Sequence, residues 1–117
     1  MKAFSLSGVL NDPGVRANLD WEPFRDGVEI SPVYRTDDPA GPSAAFLRYA
    51  PGAKVPKHMH PGFEHILVLE GSQSDENGSH KAGDMVINPP GTAHSVSSEE
   101  GCLVLAVWQA PVKFVDG

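Results

Sequence analysis

The apolar positions of this chain come in short runs cut by glycine and proline. The strongest run is Phe63 to Glu70 (FEHILVLE), in which Ile66, Leu67, Val68 and Leu69 are consecutive. A short apolar run between turn signals is the pattern of a strand buried on both faces. Its second face then needs cover from another sheet or from a second subunit. Cys102 to Trp108 (CLVLAVW) reads as a buried strand too, and Ala44 to Tyr49 as a strand ended by Pro51 and Gly52. Val28 to Tyr34 alternates in part, and Pro32 in its middle marks an edge strand or a bulge. Val55 to His60 is short and extended, because Pro56 disfavours a helix. Met85 to Asn88 and Ala93 to Ser97 are further strands, separated by a rigid Pro89-Pro90-Gly91 turn. Ser72 to Lys81 contains Asn77-Gly78, a hairpin signal in which both turn residues take positive φ.

No helical period is sustained anywhere; Val15 to Leu19 offers at most one turn. Residues 1–20 are expected to form an N-terminal arm, paired as an edge strand or laid across a partner subunit. Trp21, Pro23 and Phe24 are expected to cap one end of the fold with apolar bulk. Residues 21–117 are then a single all-β domain, a sandwich or small barrel of short strands.

Composition strengthens this picture. The chain has 117 residues, enough for one domain, and its 12 glycines and 11 prolines suit many tight turns. No apolar run approaches the ~20 residues that span a bilayer. The opening MKAFSLSGVLNDP lacks the apolar core of a signal peptide. The net charge is -6, with no cluster of Lys or Arg. That argues against nucleic acid and anionic membrane surfaces as partners. The single cysteine, Cys102, rules out an intrachain disulfide and a cysteine-based zinc site, and is expected to be a small buried hydrophobe. A cytoplasmic protein is expected.

The candidate chemistry lies between Gly52 and His94. His58 and His60 stand two apart on an extended segment, so they share a face. Glu64 follows across the Pro61-Gly62 turn, and His94 follows Pro89-Pro90-Gly91, which fixes its approach. Imidazole nitrogen and carboxylate oxygen are ligands for divalent transition metals. His58, His60, Glu64 and His94 are therefore the candidate ligands of one such ion, with zinc, iron, manganese and nickel all compatible. His65 should point away from its neighbour Glu64, and His80 lies in a polar hairpin, so neither is a candidate. Met59, Phe63 and Met85 are expected to be core residues.

These residues resemble the two cupin motifs. The first is met by Gly52, His58, His60, Glu64 and Gly71 without a gap; the second by Gly83, Pro89, Gly91 and His94, with Ser98 where that family has a non-ligating Asn. The resemblance implies a double-stranded antiparallel β-barrel (a jelly roll, RmlC-like), commonly dimeric, with a metal ion inside. LRYAPGAKVPKHMHPGFEHILVLEG, SDENG, AGDMVINPPGTAH and SEEGC are similar to the cupin domain of ChrR-type anti-sigma factors, a likeness running from about Trp21 to Val107. In that type the barrel holds zinc, and an N-terminal zinc-binding helical domain grips the sigma factor. The histidine and cysteines of that domain have no counterpart here, so sigma binding is not expected to carry over. Phe63 and His65 stand where the ChrR type has smaller or acidic residues, and Phe63 is expected to reshape the pocket mouth. The expected function is a metal-dependent, dioxygenase-like enzyme acting on a small oxygenated molecule. A non-catalytic zinc-binding or small-molecule-sensing module is the competing expectation, and a homodimer is expected in either case.

Overall fold

The computed structural model describes residues 1–115. A helix α1 (Pro13–Ala17) precedes ten strands. These are β1 (Glu22–Arg25), β2 (Val28–Arg35), β3 (Ser43–Tyr49), β4 (Lys54–Met59), β5 (Glu64–Asp75), β6 (Gly78–Lys81), β7 (Met85–Asn88), β8 (Ala93–Ser97), β9 (Cys102–Trp108) and β10 (Lys113–Phe114). They form one antiparallel sheet in the order β1-β2-β3-β9-β5-β8-β4-β10, with β6 and β7 also paired to β5. The sheet curls until its two end strands meet: the guanidinium of Arg25 in β1 lies over the ring of Phe114 in β10. The expected all-β barrel is what forms.

The long strand β5 serves both walls. Glu64 is opposite Trp108 of β9 on one side and Asn88 of β7 on the other. Farther along, Ser72 to Asp75 pair with β6, and Ser74 meets Ser97 of β8. The register shifts between Val68 and Glu70. Just beyond, Gly71 has φ +70, and a Cβ there would fall on the carbonyl oxygen of Gly101. Only glycine lets the two backbones approach so closely.

Alternation along the strands separates an inner and an outer layer. Ile66 and Val68 face inward with Val28, Leu47, Val104 and Ala106. Leu69 faces outward with Phe46 and Leu103. The cover for this outer face comes from the chain's own N-terminal segment: Val9, Val15, Leu19 and Trp21 pack on it. Arg16, only 4% exposed, pins that segment down. Its Nε–H donates to Glu70 at 2.8 Å, its Nη1–H donates to the Val9 carbonyl at 2.9 Å, and its own carbonyl accepts the Trp21 indole N–H. A guanidinium is buried at acceptable cost only when its donors are met in this way. The arm is therefore not an edge strand; its residues Val9, Val15 and Leu19 cover the chain's own sheet.

Three further expectations differ from the structure. Trp21 caps nothing; it lies on the outer face with Arg48 stacked 4.3 Å from its ring centroid, and of the expected cap only Phe24 borders the open end of the barrel. Phe63 (43% exposed) and Met85 (61%) are not core, because the inward positions of their strands belong to Glu64, Ile66 and Val86. The β5–β6 turn is Glu76-Asn77 rather than Asn77-Gly78, and of these only Gly78 has positive φ. Here the Asp75 carboxylate accepts the Asn77 N–H at 2.9 Å, an Asx turn in place of a pair of left-handed residues. The bulge expected at Pro32 is present, between Pro32 and Tyr34, although β2 lies one strand in from the edge. No helix among the described residues is long and apolar enough to cross a membrane.

Candidate metal centre

The structure brings His58, His60, Glu64 and His94 together as buried residues, one potential ligand atom from each lying within 4.8 Å of all the others. The fold explains how. His58 in β4 and His94 in β8 are direct register partners, which sets their rings 4.7 Å apart. His60 follows β4, and its backbone is clamped to the β7–β8 turn: its N–H donates to Thr92 and its carbonyl accepts from Gly91. Glu64 then opens β5 facing the same interior.

Hydrogen bonding at the far nitrogen of each ring decides what the near nitrogen can do. His58 Nδ1 is 2.9 Å from the Pro56 carbonyl, which can only accept, so Nδ1 carries the proton. His94 Nδ1 is 2.9 Å from the Asp75 carboxylate, with the same consequence. His60 Nδ1 is 3.1 Å from the Thr92 hydroxyl, whose own hydrogen is already donated to the Pro89 carbonyl at 2.6 Å. Thr92 must therefore accept from His60. In the neutral form each imidazole turns an Nε2 lone pair toward the centre. The Nε2 atoms of His60 and His94 are buried with no hydrogen-bond partner. They lie 3.1 and 3.7 Å from the same oxygen of Glu64. Lone pairs facing a carboxylate repel one another unless a cation lies between them. The donor set could thus hold a divalent transition metal ion.

The electrostatics agree with that use. Burial drives the His58 pKa below the ordinary histidine value; the adjacent His94 and His60 rings add to this, while Pro56 and Glu64 oppose it. For Glu64 burial alone would raise the pKa. Interaction with the His60 ring (which applies when that imidazole is protonated), the Trp108 indole N–H and the nearby His94 outweigh it and hold the carboxyl below its usual range. Asn88 donates at 2.9 Å to Oε1, the oxygen that the histidines face, while Trp108 donates to Oε2. The carboxylate is held ionised and fixed by three neighbours.

His65 points outward as expected, stacked on Phe63. His80 is half-buried, its Nε2 3.7 Å from Asp75. Cys102 is buried and its thiol is pushed up to about 11, chiefly by burial, which suits a packing role. Sequence reasoning missed Asp75, Asn88, Thr92 and Trp108. Only Trp108 had a usable signal, since alternation from Val104 and Ala106 turns it inward. A cavity of about 250 Å³ lies beside it, bordered by Phe24, Ile30, Ala45, Pro111 and Val112.

Known proteins resemble this chain in the same terms. The family model described as the ChrR cupin-like domain matches residues 15–112. The anti-sigma-E factor ChrR of Cereibacter sphaeroides is 39% identical over 77 residues, covering 63% of this chain and 36% of that protein. The (R)-mandelonitrile lyase of Granulicella tundricola is 32% identical over 80 residues, covering 64% of this chain and 60% of that protein. The matched stretch thus spans about a third to three fifths of these curated relatives. Among solved structures, a putative acetylacetone dioxygenase from Methylibium petroleiphilum superposes with a TM-score of 0.82 at 15% identity, covering 99% of this chain and 83% of that one. At that identity the likeness concerns the fold, and the expected cupin barrel is borne out.

Proposed function

The chain belongs to the ChrR cupin-like domain family, and from that premise we propose that it is a metal-dependent enzyme of dioxygenase-like type acting on a small oxygenated molecule. In this reading His58, His60, Glu64 and His94 hold one divalent transition metal ion. The observation that carries it is the convergence of buried, unpartnered Nε2 atoms on the Glu64 carboxylate, with every Nδ1 committed elsewhere. When bound, such an ion supplies a Lewis-acid centre with exchangeable positions. The three imidazoles are neutral donors and Glu64 contributes one negative charge, so the centre keeps a net positive charge that favours an enolate or carboxylate. Trp108 and Asn88 keep Glu64 from swinging away.

Elemental analysis of protein purified without chelator, beside a His58→Ala control, tests the site. One equivalent of iron, manganese or nickel that disappears in the variant supports an open catalytic centre. Metal retained by His58→Ala refutes the ligand assignment. Activity is tested by oxygen uptake with diketone and catechol substrates, and by benzaldehyde release from mandelonitrile. Inactivity in all of them with iron or manganese loaded counts against the enzyme.

The likeness to an anti-sigma factor favours a second reading, a non-catalytic zinc-binding or small-molecule-sensing module. Four ligands suit a closed tetrahedral zinc site, and stoichiometric zinc without turnover would select this reading. A cytoplasmic homodimer completes the proposal. The exposed apolar side chains of Phe63, Met85 and Ile87 on the outer face support the dimer, and a light-scattering mass of one protomer would refute it.

A further inference from the structure

Arg25 ends the edge strand β1. Its register partner is Val28, an inner-core residue, so Arg25 is directed to the interior as well. Its guanidinium lies 4.7 Å from the centroid of Phe114. Phe114 is in turn the register partner of His58, with the two ring centroids 5.7 Å apart. The side chain therefore reaches from one end of the curled sheet across the seam to the ring that packs beside His58.

Its hydrogen bonding is incomplete. Nη1 of Arg25 is buried, and no acceptor among the described residues reaches it. Other arginines behave differently: Arg16, Arg35 and Arg48 each face a glutamate, Glu70, Glu22 and Glu29 respectively. A buried cationic donor without an acceptor destabilises the fold, and each one in a native structure calls for a reason. Its contact with the Phe114 ring uses none of its N–H groups. What is missing is a planar acceptor, and the charge of the interior says of which sign. Glu64 neutralises only part of a divalent ion, and Arg25 adds a second uncompensated positive charge.

We propose that Arg25 anchors an anionic group of the ligand taken by the metal centre. The ligand is then a small organic anion with two acceptor groups, one for the metal and one for the guanidinium fork, which matches a carboxylate through paired N–H donors. This rests on the metal-centre reading above and narrows it.

The test uses the full chain loaded with cobalt(II), whose visible bands report its ligands. It is titrated with malonate, which carries two carboxylates, and with azide, a small anion that needs only the metal. In the wild type both shift the bands. In Arg25→Met the cobalt spectrum and azide affinity are unchanged, while malonate affinity falls about 10- to 100-fold, the range for losing a charge-assisted hydrogen bond. Arg25→Lys recovers part of the loss, since it restores the charge without the fork. Should Arg25→Met not fold, Arg25→Gln, which shortens the stem little and removes the charge, carries the same comparison. Equal malonate affinity with and without the guanidinium overturns the proposal. So does a wild-type spectrum that responds to azide and not to malonate. A wild type that takes up no cobalt refutes the metal reading itself, and this proposal with it.

Discussion

Asp75 divides its carboxylate between two tasks. One oxygen accepts the Asn77 N–H and shapes the β5–β6 turn, and the other holds His94 Nδ1–H. Burial alone would raise its pKa, but the bonds from His94 and Asn77 outweigh that and keep the group ionised below the usual carboxylate range. Asp75→Asn should weaken metal binding about 10- to 100-fold in chelator competition, the usual cost of losing a ligand's outer partner. Unchanged affinity would mean that ring packing alone orients His94. The sign of the pH effect follows from the same lone pairs. Protons compete with metal for each Nε2, so affinity must fall as pH drops through the histidine range. The lowered pKa of His58 delays that competition at one ligand without removing it. Metal titrations at pH 7 and pH 5 that give equal affinities would contradict a site built on three imidazoles. The four clustered residues were legible in the sequence because strand alternation and turn residues alone set their directions. Trp108 was not legible as a partner of Glu64: the two are 44 residues apart and meet only through the β5–β9 register, which no single sequence displays.

Among the elements, two glycines, one from each motif, make different demands. Gly71 has φ +70 and lies against the Gly101 backbone, whereas Gly91 has φ +87 with open space where a Cβ would go. Gly91→Ala should therefore cost about 1 kcal/mol, from backbone strain alone. Gly71→Ala adds a backbone clash, and a loss of about 3 kcal/mol or more is expected in denaturant unfolding. Similar costs at the two sites would show that β5 can shift away from Gly101. Strand positions were readable from apolar runs, but turns were less so. Asn77-Gly78 is a good hairpin signal that yields here because Asp75, one residue before the turn, offers a stronger local acceptor. The role of the N-terminal segment was hidden for another reason. Val9, Val15 and Leu19 show no period, since they cover an outer sheet face without forming a regular element of any length.

For the whole molecule, metal and barrel should share their stability. An ion that binds only the folded state at 100 times its dissociation constant adds about 2.7 kcal/mol. Stripping it with chelator should lower the melting temperature of a domain this size by roughly 10 °C, and His58→Ala should lose nothing further on the same treatment. A melting curve indifferent to chelator would leave no place for a tightly held ion. The strand order carries one more consequence. β9 lies between β3 and β5 in the middle of the sheet, yet it is made after both of them. During synthesis on the ribosome, β3 and β5 emerge as neighbours of a strand that has not yet been made. Their facing backbone edges stay unpaired until residues 102–108 leave the exit tunnel, so the barrel cannot close before then. Over that interval the nascent chain is most open to capture by chaperones and to pairing with other chains.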